Sequence, residues 1–200
     1  MQKLISILFI IIFLPLSLFG QIVGIIEEVQ GTNTFVQEDQ SVAIEEYDDL
    51  ILGQKIQVAD QSKITLSLND GTIFIFENES EFFFNTYNDL FSVTPSFEIT
   101  VIKGNFIVET GDIPKIVRDQ TKIFIPGGEL ILNGTAVSGN MTNDQSDVFL
   151  LTDSFGEKGE LKLQTLSGQS IDIEADSGLQ LQGESVTPKQ VDDQKINQMQ

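Results

Sequence analysis

The 200-residue chain predicts an all-β domain, and three observations predict it. Short apolar alternations recur from Ile22 onward, Gly, Asn and Asp turn signals separate them about every ten residues, and helical periodicity is almost absent before the last segment. Many short strands with this punctuation pack as a compact solenoid-like or two-layer sandwich stack. No strict repeat period accompanies them, so a regular β-helix is not predicted.

The elements follow in chain order. Met1 to Lys3 carry one positive charge, Leu4 to Leu18 are apolar except for Ser6, Pro15 and Ser17, and Gly20 ends the run. This is the layout of a cleaved secretory signal peptide over residues 1–20, since a membrane span needs roughly 20 apolar residues. A β domain is expected over 21–185 and a helical tail over 186–200. Within the β domain, Ile64, Leu66 and Leu68 alternate with Thr65 and Ser67, Asp70-Gly71 supplies a turn, and Ile73 to Phe76 resume as a strand apolar on both faces. Such a strand is expected to be covered on both sides.

Downstream, Phe97, Ile99 and Val101 alternate with polar residues, Lys103-Gly104-Asn105 reads as a turn, and Phe106 and Val108 continue the apolar face. Further strands are expected at Lys122–Ile125, Leu130–Leu132, Val148–Leu151, Leu161–Leu163, Ile171–Ile173 and Leu179–Leu181. Between Phe82-Phe83-Phe84 and Leu90-Phe91, the polar segment Asn85 to Asp89 reads as a loop or insertion. Those aromatics either pack beneath it or form an exposed patch for a partner. Asn140 to Asp147 is a second polar run, expected to join two strands. Thr187-Pro188-Lys189-Gln190 offers an N-cap, a proline at the first helical position and a capping Gln, predicting a short helix from Pro188 to about Met199.

Composition removes whole classes of chemistry. The chain has no Cys and no His, which excludes disulfides, thiolate sites, Ser-His-Asp triads and imidazole ligands. No catalytic residue, metal ligand or cofactor site is predicted. A formal charge of −19 repels phosphate backbones, so nucleic-acid binding is not expected. Paired carboxylates suit glycoside hydrolysis, but there is no Trp platform and there are only two Tyr residues. Glu45-Glu46-Tyr47-Asp48-Asp49 reads as solvated negative surface, because its spacing fits no calcium loop. The triplets at Asn78, Asn133 and Asn140 match the glycosylation pattern and carry no further argument.

From Leu52 to Phe76 the chain resembles the FecR-type periplasmic domain family. The residues concerned are Gly53-Gln54-Lys55-Ile56, Ser62, the alternation Ile64 to Leu68, and Asp70-Gly71-Thr72. Val101-Ile102-Lys103-Gly104, Ile125-Pro126-Gly127-Gly128 and Gly134-Thr135 continue the resemblance in order, while Gln54 and Asn133 depart from the usual acidic residue and Arg. The resemblance covers about Ile22 to Gly183, and it implies a strand-rich extracytoplasmic module in which Gly53, Ile56, Ser62, Asp70, Gly71, Thr72, Gly104, Gly134 and Thr135 are structural motif residues. FecR itself passes signals from an outer-membrane siderophore receptor to a cytoplasmic sigma factor. Only Met1 to Lys3 precede the apolar run here, so a cytoplasmic anti-sigma segment is not expected, nor a membrane span once the signal is removed.

The resulting expectation is a periplasmic or secreted, non-enzymatic FecR-like domain that acts by contact with an envelope or surface protein. A module that binds extracellular polymer or calcium through the acidic loops is the alternative.

Overall fold

The computed structural model describes residues 20–190 except 38 and 39, so the expected leader lies outside the described residues apart from Gly20. The strands are β1 (Ile22–Gln30), β2 (Asn33–Gln37), β3 (Gln40–Ala43), β4 (Asp49–Ile51), β5 (Lys55–Val58), β6 (Lys63–Leu68), β7 (Ile73–Asn88) and β8 (Ser96–Glu109). A four-residue helix, α1 (Ile113–Ile116), precedes β9 (Thr121–Ile125), β10 (Gly128–Asn133), β11 (Ala136–Met141), β12 (Gln145–Leu151), β13 (Glu160–Thr165), β14 (Ser170–Ile173), β15 (Ser177–Gln182) and β16 (Ser185–Gln190). The fold is all-β, and the sheet does not close into a barrel.

Two long strands organise everything else. β7 has 16 residues and β8 has 14, and the antiparallel ribbon they form bends in the middle. Its register shifts between Glu77 and Glu81, where Asn78 and Glu79 take positive φ and Gly104 on the facing strand has φ 101°. Before the bend β7 pairs with β6; after it, β7 pairs with β5. The ribbon therefore belongs to two layers.

One layer runs β4, β1, β6, the first half of β7, the second half of β8, β11, β12, β15, β16. The other runs β3, β2, β5, the second half of β7, the first half of β8, β9, β10, β13, β14. The β8–β9 pairing is parallel, with α1 on the crossover, and the remaining ladders are antiparallel. From β9 onward successive hairpins join alternate layers, so a two-layer sandwich is assembled by a stepwise addition like that of a solenoid.

Period-two side chains explain the core. Ile64, Leu66, Phe74, Phe76, Phe106 and Val108 point inward from the first layer, and Phe82, Phe84, Phe97 and Ile99 meet them from the second; all are buried. Phe76 and Phe82 stack with ring centroids 3.6 Å apart, and Phe74 meets Phe84 edge-on at 5.8 Å. Each fully buried Phe contributes about 1.5–3 kcal/mol, so the folded ribbon itself supplies much of the interlayer adhesion.

Four sequence expectations are corrected. Ile73 to Phe76 is not covered on both faces, because Ile73 is 43% exposed while Phe74 and Phe76 are buried. Asn85 to Asn88 are strand rather than loop: β7 continues through Asn88 and the connection is the short segment 89–95. Lys103-Gly104-Asn105 is not a turn but the bend inside β8. Pro188 to Gln190 lie in β16, where Pro188 faces Leu179; an edge strand tolerates a residue without an N–H. The remainder of the expected helix lies outside the described residues.

Candidate functional site

The sequence motifs converge on two structural nodes. At the first, the β6–β7 turn places Gly71 at φ 83°, a region nearly free of cost only for glycine. Asp70 is buried, and its carboxyl accepts from Thr72 N at 3.1 Å, Thr72 Oγ1 at 3.0 Å and Ile113 N at 3.2 Å. Asp112 N donates to Asp70 O at 2.9 Å and Gly111 N to Thr72 Oγ1 at 2.9 Å. The turn thus satisfies backbone donors at the start of α1 and ties it to the end of β8. Gly134-Thr135 stands nearby: Thr135 N donates to Thr110 Oγ1 at 2.7 Å, and Thr110 N and Oγ1 both donate to Thr135 O.

The second node is the elbow. Ser80 is buried; its Oγ has Glu77 O and Asn105 O within reach as acceptors for its one proton and accepts from Asn105 N at 3.1 Å. Its side chain and Cα occupy the space a Cβ on Gly104 would take. Of the remaining motif residues, Ser62 Oγ accepts from Thr32 N at 2.9 Å, Ile56 is buried on β5, and Gly53 turns at φ 80° with its N–H donated to Phe84 O. Sequence reasoning missed Ser80 and α1. Ser80 sits in Asn78-Glu79-Ser80-Glu81, a polar interruption of an otherwise apolar strand, and that interruption was the available signal.

The surface clefts among the described residues include three. One of about 250 Å³ lies beside the elbow, lined by Thr32, Gln57, Glu79, Ser80 and Lys103; another of about 330 Å³ lies across it, lined by Asn78, Lys103, Asn105 and Asn140. The third, of about 500 Å³, follows β13 and β14. All are open and mixed in polarity. Among the described residues no group of three or more Asp or Glu is arranged to hold a metal ion, and Glu45, Glu46 and Asp49 of the acidic run are exposed. Among the described residues, titration is displaced at Glu28, Asp176 and Tyr87. A side-chain bond from Gln30, with Lys63 close by, lowers the Glu28 pKa, and a bond from Lys158 lowers that of Asp176; both shifts favour the charged form, the reverse of what a general acid needs. Burial, then the charges of Asp70 and Asp89, push Tyr87 up.

Backbone is open at the sheet edges: β4 and β16 in the first layer, β3 and β14 in the second. Pro188 and Lys189 blunt β16. β3 has neither protection, and all four of its residues are exposed. Ile44 N donates to Asn33 O at 3.0 Å, so by antiparallel alternation Val42 also faces β2, while Ser41 and Ala43 turn their N–H groups outward.

No family model matches the chain, and no curated protein matches it. Two crystal structures described as a "putative anti-sigma factor" from Parabacteroides distasonis ATCC 8503 share its fold, with TM-scores of 0.52 and 0.54, 12% identity and 72% of this chain covered. The matched region spans 62% of the length of those proteins. At that identity the likeness is one of fold. No helix among the described residues is long and apolar enough to cross a membrane.

Proposed function

We propose that this chain is an exported, non-catalytic FecR-like β domain that acts by protein contact in the cell envelope, periplasmic or secreted, and that β3 is its recruiting edge. The observation that carries the reading is the open β3 backbone, since an extended segment of a partner can extend the second layer through main-chain bonds. Fold similarity to the anti-sigma structures, the FecR-like motif order and the leader composition support it. Glu45 and Glu46 are exposed just beyond β3, so a basic extended segment suits the edge. Ser41→Pro removes an outward N–H without touching a β2–β3 bond. Capture from envelope extracts tests the proposal: a partner recovered by the parent and lost with Ser41→Pro supports it. Equal recovery by both proteins, or none above background with either, overturns it.

A further inference from the structure

Four of the large apolar side chains exposed among the described residues lie in connections at one end of the sandwich. Phe91 is 97% exposed and Val93 fully exposed at the tip of the β7–β8 hairpin, Ile116 is 67% exposed on α1, and Phe155 is 80% exposed between β12 and β13. The ladders and the folded ribbon bring these three connections to a common pole, and hydrogen bonds tie the start of β1 and the β12–β13 loop to it. Gln21 Nε2 donates to Tyr87 O at 2.9 Å, Leu52 N to Gln21 O at 2.8 Å, and Ser154 Oγ to Glu109 Oε1 at 2.5 Å beside the turn that holds α1. The tip is pre-shaped, because Asp89 Oδ1 accepts from Phe91 N at 3.0 Å and Ser92 Oγ at 3.1 Å. Leu166, 84% exposed, marks the opposite pole in the β13–β14 turn.

Gln21 enters the fold at the apolar pole, and the run Leu4 to Leu18 precedes it with only Phe19 and Gly20 between. Two extended residues reach at most about 7 Å. While the uncleaved leader sits in a bilayer, the pole lies against the lipid surface.

We propose that this pole is a membrane-facing surface, with Phe91 and Val93 inserting at the interface of a zwitterionic bilayer. Apolar side chains on a polar body lie at the headgroup boundary in this way. The pole's cations are partnered within the protein: Arg118 pairs with Glu160, Lys158 with Asp176 at 2.5 Å, and Lys115 lies 6.0 Å from the centre of the Phe155 ring. With a formal charge of −19, anionic headgroups are disfavoured, and a neutral lipid surface fits. The inference is independent of the β3 edge.

The chain lacks Trp, so a single Trp reports its own surroundings. Phe91→Trp and, as a control at the other pole, Leu166→Trp are prepared without residues 1–20, so that the leader itself cannot insert, and mixed with phosphatidylcholine vesicles, with and without phosphatidylglycerol. The expected result is a blue shift and quenching by acyl-brominated lipid for Phe91→Trp, weaker with phosphatidylglycerol, and neither change for Leu166→Trp. Unshifted Phe91→Trp emission, or equal shifts at both positions, overturns the proposal. So does a Phe91→Trp shift produced only by lipid-free envelope protein, which would assign the tip to a protein groove.

Discussion

Gly71 and Gly104 both occupy the left-handed region, at φ 83° and 101°, and both interrupt alternating apolar runs. At Gly71 two strands join, and a Cβ would meet open space; at Gly104 one strand continues, and a Cβ would overlap Ser80. The first glycine answers a local demand of the backbone. The second answers that demand and a tertiary one, because the facing strand has packed its bend into the space a side chain would need. A hairpin turn can be specified within four residues, whereas an elbow needs both strands of a ribbon to deform at the same height.

Substitutions sharpen the contrast. Gly104→Ala combines left-handed strain with overpacking against Ser80, so denaturant melts should show a loss of about 3–4 kcal/mol. Asp70→Ala leaves the buried donors Thr72 N, Thr72 Oγ1 and Ile113 N without their acceptor and should cost about 2–3 kcal/mol. Its distinguishing sign is faster exchange of the Ile113 amide. Gly71→Ala adds strain alone and should cost about 1–2 kcal/mol. The smallest effect at neutral pH belongs to Tyr87→Phe, which removes a buried hydroxyl whose polar neighbour is the Asp70 backbone.

Tyr87→Phe has a larger signature in alkali. An unfolded tyrosine titrates near 10, and burial holds the folded one above that. Above about pH 10 the unfolded chain releases a proton that the native state retains, so stability falls as pH rises. Melts of the parent between pH 9 and about 11 should show this loss, and Tyr87→Phe should show less of it.

The all-β class and the Asp70 turn are legible in the sequence because both rest on local rules, a period of two and a residue suited to positive φ. Alternation like that from Ile64 to Leu68 is absent from α1, whose single turn Ile-Pro-Lys-Ile is too short to carry a period and is held by Asp70, 43 residues away. The elbow reads as a turn because Gly104 looks the same alone; only Ser80, 25 residues from Asn105, distinguishes them. Pro188 carries a genuine helix-start signal that loses to pairing with β15. Phe82, Phe84 and Phe91 are alike in sequence, yet the first two are core and the third is a tip, since a strand face is fixed by register and a loop is not.

The most direct test is chemical denaturation of Gly104→Ala beside Gly71→Ala under identical conditions. The account predicts the greater loss at Gly104, where the Ser80 side chain and Cα already fill the space. Equal losses at the two glycines would contradict the claim that a folded ribbon packed at Ser80 and Gly104 holds the two layers together.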